Sequence, residues 1–361
     1  MNIVITGGGT GGHVYPAIAV ASFIKNNYPE SKLLYIGTEN GPERPAAAAA
    51  GIDFAPVPAV PMNRIVSLKG LGALRELVSG IRKSVKLLED FRADVVFGTG
   101  GFVCSPVYVA AKRKKIPVVV HEQNSVPGKA NLQVSGYASA ICITFPEAAP
   151  GFPSGRPVLT GLPVRKEFFS LPDKEQAMEK MGIKKGAFTV LVCGGSQGAL
   201  SINKAVTGMV KKQLVKDAYF IHQTGKNKLE SVLEEMKDYK EDNYRAYGFL
   251  DMPLAFACAD LVVSRAGAST TTELQAAGLP SILIPYPYAA ADHQYHNAEA
   301  YRNAGGCELI KDSELTPEVL ADKIRKLRNG NVLKRMSENA ARAAVPDAAK
   351  KITEIIMEAV R

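Results

Sequence analysis

Across 361 residues the chain is 46% apolar and 22% charged, enough for two ordinary hydrophobic cores and too apolar for a disordered polymer. Its net charge of +9, from 44 Lys and Arg against 35 Asp and Glu, favours an anionic partner. Tryptophan is absent and aromatic residues do not interleave with basic ones, which argues against nucleic acid and for a membrane surface or a phosphorylated substrate.

The chain opens on an apolar run, Ile3 to Ile5, that feeds directly into glycine in MNIVITGGGTGGHVYP. Backbone N–H groups and the positive end of the following helix converge there, a geometry that attracts phosphate. Gly7, Gly9 and Gly12 also fit G-x-G-x-x-G, a weak signal alone because dinucleotide enzymes share it. Further strands are predicted near 32–36, 94–97, 117–120 and 140–144, alternating with helical patterns. The pattern restarts after Gly161-Leu162-Pro163, with strands near 188–193, 218–222, 244–247, 260–264 and 281–284. Alternation of this kind predicts two α/β domains, each a parallel sheet covered by helices, with the boundary close to 163. Thr316 to Arg361 reads as helices broken around Gly330 and Pro346, the last of them able to pack back on the first domain. Ala46 to Ala50 is expected to be helix or surface loop without chemistry. The five cysteines (Cys104, Cys142, Cys193, Cys258, Cys307) lack C-x-x-C spacing and predict buried, reduced thiols. No apolar run of about 18 residues and no basic leader is present, so neither a spanning segment nor a secretory signal is expected.

Several side chains fall where such sheets place chemistry. His13 follows the first glycine loop at a predicted helix start, where positive charge is disfavoured, which suits a neutral imidazole that accepts a proton; the plainer reading is a cap. Gly98 to Phe102 and His121 to Asn124 follow strands of the same sheet and are expected at its carboxyl edge as ligand contacts, with Glu122 alternatively holding a backbone amide. In the second half, TVLVCGGSQGALSIN repeats the strand and glycine device, and Ser196 offers a hydroxyl to a phosphate. Ala268 to Thr271 opens a helix whose N-terminus is a further anion site, with Glu273 one turn inside. Glu273 could accept both hydroxyl protons of a ribose diol, or pair with Thr270 as a capping box; spacing leaves both open. His293 and His296 lack a third ligand, so no metal is expected. The stretch Arg64 to Arg92 carries seven basic against three acidic residues around the stripe Leu71, Leu74, Val78, Ile81, Val85 and Leu88, flanked by Arg75, Arg82 and Lys86; Lys112 to Lys115 add four cations. This is either an ordinary packed helix or a face that meets anionic lipid. A dehydrogenase reading, with Glu39 as ribose acid after the second strand, leaves the second glycine loop unexplained. A nucleotide-sugar epimerase and a non-enzymatic membrane scaffold also remain open.

Taken together, GGGTGGH, GTGGF, HEQN, GLPVR, GGSQGA and RAGASTTTELQAAGLP resemble the MurG family of glycosyltransferases over essentially the whole chain. The resemblance implies transfer of N-acetylglucosamine from UDP-N-acetylglucosamine to undecaprenyl-diphosphate-linked N-acetylmuramoyl-pentapeptide, with inversion, without cofactor or protein-bound metal, by a peripheral protein at the cytoplasmic face of the cell membrane. It implies the GT-B fold, two Rossmann-like domains facing across a cleft: residues 1–163 for the acceptor and membrane, 164–345 for the UDP-sugar, and 346–361 as a helix returning to the first domain. Carried over, His13 is the base for the acceptor 4-hydroxyl. Thr10, Gly11 and Gly12 match first-loop donor contacts, and Asn124, Arg165, Ser196 and Gln294 match polar contacts. Leu250 would bind uracil through its backbone, while Ala268, Ser269, Thr270, Thr271, Thr272 and Glu273 would hold the diphosphate and ribose. Leu162 departs from the family, which usually has Asn there, and His293 precedes Gln294 where a second Gln can occur.

Overall fold

The computed structural model describes residues 1–360 except 62–69, 196 and 329. The chain forms two compact units, Met1–Val164 with Asp347–Arg361, and Arg165–Pro346.

In the first unit seven parallel strands pair in the order β3 (Asp53–Pro56), β2 (Lys32–Gly37), β1 (Asn2–Thr6), β4 (Val95–Gly98), β5 (Val118–Glu122), β6 (Ala140–Ile143) and β7 (Pro157–Leu159). The apolar run of β1 is continuous because both faces are covered. Ile3 and Ile5 pack with Val20 and Ile24 of the Gly11–Asn27 helix, whereas Val4 packs with Val96, Val107 and Tyr108 on the other side. The second unit repeats the plan with six parallel strands: β10 (Tyr244–Tyr247), β9 (Ala218–Gln223), β8 (Phe188–Cys193), β11 (Leu261–Ser264), β12 (Ser281–Leu283) and β13 (Cys307–Leu309). Each sheet therefore has one point where the winding reverses, between β1 and β4 and between β8 and β11. Loops diverge there at the carboxyl ends of the strands and leave room for a ligand.

The ten strands expected from the sequence occur at the expected places, and β3, β7 and β13 are additional. All three are short and lie at sheet edges. An edge strand is held by one neighbour and needs no long apolar run, which is why Asp53-Phe54-Ala55-Pro56 and Pro157-Val158-Leu159 leave little pattern to read. After Pro346 the chain returns to the first unit as the Ala348–Glu358 helix, whose Ile352 and Ile356, one turn apart, join the cluster around Val20 and Ile24. Ala46 to Ala49 lie in the helix Glu43–Ala49, with Ala47 fully buried and Ala50 as the cap.

The basic stretch resolves into the helix Gly70–Asp90; Arg64 and Lys69 lie outside the described residues. Its apolar stripe divides. Leu88 is buried in the cluster that holds Val107 and Ala111 of the Cys104–Lys114 helix and Ile81 is buried as well, while Leu74 and Val78 face solvent. Lys112, Arg113 and Lys114 occupy the last turn of the Cys104–Lys114 helix, where cations offset the negative end of the helix dipole. Lys112 also stacks over Tyr137 at 4.5 Å and Lys114 pairs with Glu89 at 2.6 Å. Much of that second cationic run therefore has a local structural explanation.

Candidate functional site

The first reversal point is built from two glycine loops pressed together. Gly101 takes φ +84° against the Gly8 carbonyl, leaving no room for a side chain, and Gly8 N–H donates to the Gly100 carbonyl at 3.3 Å. Thr10 is the N-cap of the Gly11–Asn27 helix in extended conformation, with no side-chain cap bond. His13 N–H and Val14 N–H both reach the Thr10 carbonyl, at 3.1 and 3.2 Å, so the N–H groups of Gly11 and Gly12 are the open donors of the first turn.

His13 is half-buried and bracketed by Thr99. Thr99 Oγ1 donates to the His13 carbonyl at 2.7 Å, and the His13 Nδ1–H donates to the Thr99 carbonyl at 3.0 Å. With Nδ1 committed, Nε2 is the lone-pair nitrogen. The cap reading fails, since the imidazole reaches across to β4's loop and not to its own helix. His13 lines a cavity of about 260 Å³ with Val60, Leu77, Phe102 and Val109, and Lys129 brings a cation to this mostly apolar wall.

The strand-end residues behave differently from their expected role as ligand contacts. His121, Glu122 and Gln123 are buried. Glu122 is a structural anchor: Oε1 accepts Asn124 N–H at 3.0 Å, while Oε2 accepts Gly128 N–H at 2.9 Å and Asn131 Nδ2–H at 2.8 Å. It shapes the loop that carries Asn124, which is partly exposed. His121 is held neutral, burial pushing its pKa down to about 4, and His222 in the second unit is pushed down to about 3 for the same reason.

In the second unit the helix Ala268–Ala276 begins behind an N-cap at Gly267 that makes no side-chain cap bond. Thr270 is therefore inside the helix and does not cap it, and the Thr270 and Glu273 spacing is not a capping box. The N–H groups of Ala268, Ser269 and Thr270 have no partner within the helix, whereas Thr271 N–H donates to Gly267 at 2.9 Å. Thr271 and Thr272 spend their hydroxyls on the Gly267 and Ala268 carbonyls, at 3.0 and 2.9 Å, so what they contribute is position. Glu273 is half-buried, and burial raises its carboxyl to about 7 although the nearby Arg165 guanidinium opposes the shift. Arg165 opens the turn Lys166–Phe169, which packs on this helix, and stacks 4.9 Å from the Phe168 ring. Two residues far apart in sequence thus face each other.

Leu250 is buried just before the Met252–Cys258 helix, and among the described residues its backbone N–H and C=O pair with no other backbone group. Gln294 Oε1 accepts Tyr286 N–H at 3.0 Å, leaving its amide N–H₂ as donor. Ser196 lies outside the described residues. Its flanks Gly195 and Gly198 both have positive φ, and Gly198 packs on the Thr224 carbonyl. Asn203 Nδ2–H holds that carbonyl at 3.1 Å while Asn203 Oδ1 accepts from His222 at 3.1 Å. Sequence reading also passed over Arg265, whose guanidinium binds the Ile284 and Pro285 carbonyls at 3.1 Å, Ser201 Oγ at 2.9 Å and the Asp312 carboxylate. No group of side chains that could hold a metal ion occurs among the described residues.

A consequence for stability follows from the two histidines. Their folded pKa values lie below the unfolded value of about 6.5, so the unfolded chain binds protons that the native chain refuses, and stability falls as pH drops from 6.5 towards 4. Glu273 acts with the opposite sign, taking up a native proton between 7 and about 4.5. The urea midpoint is expected to fall over this window, and to fall more steeply in Glu273→Gln, which lacks the compensating proton.

Comparison with known proteins matches residues 3–143 to the glycosyltransferase family 28 N-terminal domain and residues 189–352 to the glycosyltransferase family 28 C-terminal domain. A protein of Acetivibrio thermocellus named UDP-N-acetylglucosamine--N-acetylmuramyl-(pentapeptide) pyrophosphoryl-undecaprenol N-acetylglucosamine transferase is 38% identical, with 99% of this chain and 98% of that protein covered. The protein of the same name from Bacillus subtilis is also 38% identical, with 99% of each covered. The chain belongs to the MurG family. The crystal structure of Acinetobacter baumannii MurG superposes with a TM-score of 0.83 at 28% identity, covering 99% of both chains. MurG membership, with its two-domain GT-B fold, displaces the dehydrogenase and epimerase readings. Glu39, the acid that the former needed, is paired with Arg44. Leu162 is buried.

Proposed function

We propose that the chain transfers N-acetylglucosamine from UDP-N-acetylglucosamine to the 4-hydroxyl of undecaprenyl-diphosphate-linked N-acetylmuramoyl-pentapeptide, inverting the anomeric centre, in peptidoglycan synthesis. The observation that carries this reading, beside the near full-length kinship, is His13: one ring nitrogen is a donor to the Thr99 carbonyl, the other has no hydrogen-bond partner among the described residues, and the residue lines a cavity. Nε2 takes the proton of the acceptor hydroxyl as its oxygen attacks the anomeric carbon; the bond to the diphosphate oxygen breaks and UDP leaves. The open N–H groups of Ala268, Ser269 and Thr270 suit the charge developing on that diphosphate, and Glu273 suits the ribose hydroxyls. Thr10, Gly11, Gly12, Asn124, Arg165, Ser196, Leu250 and Gln294 are assigned to the substrates on the family pattern.

The test is transfer of labelled N-acetylglucosamine to a synthetic lipid-linked muramoyl acceptor, preceded by thermal shifts with UDP-N-acetylglucosamine, UDP and NADH side by side. Ligand at about 100 times its dissociation constant adds roughly 2.7 kcal/mol of stability. Stabilisation by the uridine ligands alone is expected, and stabilisation by NADH alone would overturn the assignment.

We also assign the exposed face of the Gly70–Asp90 helix to an anionic lipid surface at the cytoplasmic side of the membrane. No helix among the described residues is long and apolar enough to cross a bilayer, so contact would be peripheral. Leu74 and Val78 are exposed beside the exposed Arg75 and Arg82, an apolar patch within a cationic rim. Each cation near such a surface contributes about 1 kcal/mol, so reversing Arg75, Arg82 and Lys86 to Glu should weaken binding to anionic vesicles by roughly a hundredfold or more. Sedimentation showing unchanged binding would return this helix to a solvated face.

A further inference from the structure

Behind His13 lies a second row of polar groups, buried away from the surface. Gln123 is 2% exposed and His121 is fully buried. Gln123 Oε1 stands 3.0 Å from His13 Nδ1, and Gln123 Nε2 stands 3.0 Å from the His121 carbonyl and 3.1 Å from His121 Nδ1. His121 Nε2 in turn stands 2.9 Å from the Gly161 carbonyl.

Three backbone carbonyls, which can only accept, fix the direction of every bond in this row. The Gly161 carbonyl makes His121 Nε2 a donor, so the neutral His121 ring presents Nδ1 as an acceptor. The His121 carbonyl and Nδ1 together take both protons of the Gln123 amide, which turns its oxygen towards His13. The Thr99 carbonyl and Gln123 Oε1 then share the His13 Nδ1–H. Reversing the Gln123 amide would set a carbonyl oxygen against the His121 carbonyl and an N–H₂ group against His13, and burial makes both contacts costly.

We propose that Gln123, oriented by His121 and the Gly161 carbonyl, is a positioning residue that holds His13 in the Nδ1–H tautomer and steadies the imidazolium formed when Nε2 takes the acceptor proton. This rests on His13 being the base. The logic is that of the buried third member in hydrolase triads, which sets the tautomer and orientation of a catalytic imidazole without touching substrate. Here a neutral amide does so, and its own polarity is set by a second histidine.

The test compares full-length wild type, Gln123→Met and Gln123→Glu by kinetics and by nitrogen NMR of protein labelled with ¹⁵N-histidine. The chain has five histidines, and a His13→Gln difference spectrum assigns the His13 signal. In wild type the His13 Nε2 is expected as an unprotonated nitrogen. Gln123→Met, which fills the volume and leaves the Thr99 carbonyl as the remaining acceptor for Nδ1–H, should move part of that signal towards the Nε2–H form and lower kcat by about tenfold to a hundredfold, with KM for UDP-N-acetylglucosamine unchanged. Gln123→Glu keeps an oxygen acceptor towards His13 and, with its other oxygen protonated, a donor towards His121, and should return the signal and most of the turnover. A Gln123→Met protein with wild-type signal, or with reduced kcat and unchanged signal, overturns the proposal, as does a Gln123→Glu protein carrying the Nε2–H form; the last arm stands even if Gln123→Met does not fold. Full activity in His13→Gln would instead remove the base assignment, and the tautomer shift in Gln123→Met would still be read independently.

Discussion

His13→Ala is expected to lower kcat by about 10² to 10⁴, the range that general-base catalysis supplies, while KM for UDP-N-acetylglucosamine changes little. The split follows from what the imidazole touches. Its contacts are the Thr99 carbonyl and Gln123, all within the first unit, and none is a group assigned to the nucleotide. Truncation leaves Gln123 Oε1 without its donor and the Thr99 carbonyl without one of its own, a modest structural cost beside the loss of the only imidazole at this cavity among the described residues. The measurement is initial-rate transfer to the lipid-linked acceptor across both substrates, with circular dichroism to confirm folding. Turnover within a few-fold of wild type would move the base elsewhere. If kcat holds and KM for the acceptor rises, His13 is a binding contact.

The division between what the sequence made legible and what it hid has a physical basis. Central strands and both glycine loops were readable because burial on two faces demands unbroken Val and Ile runs, and because close approach of loops such as that of Gly101 to Gly8 demands glycine. The edge strands β3, β7 and β13 were not, since one-sided pairing tolerates Asp53, Pro56 and Pro157. Within HEQN the residue types pointed to a site, but side-chain direction decides who meets the ligand, and that depends on partners distant in sequence. Glu122 is spent on Gly128 and Asn131, and His121 on Gly161. Only after those bonds are drawn does Gln123 emerge as a neighbour of His13. The Thr270 and Glu273 spacing misleads in the same way: spacing matches a cap, yet the helix starts two residues earlier, at Ala268. Arg265 carries no spacing signal, because the carbonyls it gathers come from β12's loop and its carboxylate from Asp312.

Glu273 gives the second large effect, and its environment makes the prediction sharper than a simple loss of affinity. Burial raises the carboxyl to about 7, against the pull of Arg165, so near neutral pH the free protein holds a mixture of acid and carboxylate. Ribose hydroxyls that donate to Glu273 select the carboxylate, and binding must then expel a proton. The apparent affinity for UDP-N-acetylglucosamine should therefore be about tenfold weaker at pH 6 than at pH 8, with proton release seen in calorimetry as a dependence of heat on buffer ionisation. The diphosphate of this donor is doubly esterified and does not titrate in that range, so the proton is the protein's. Glu273→Gln should abolish the pH dependence, and Glu273→Ala should weaken binding by roughly 1.5 to 3 kcal/mol, the worth of hydrogen bonds to a charged group. The alternative is that the neutral acid donates to the ligand. Affinity would then rise as pH falls, and calorimetry would show proton uptake in place of release. A flat profile in wild type would separate Glu273 from the ribose altogether and leave Arg165 opposite a carboxyl whose task is to hold the Ala268–Ala276 helix against the Lys166–Phe169 turn.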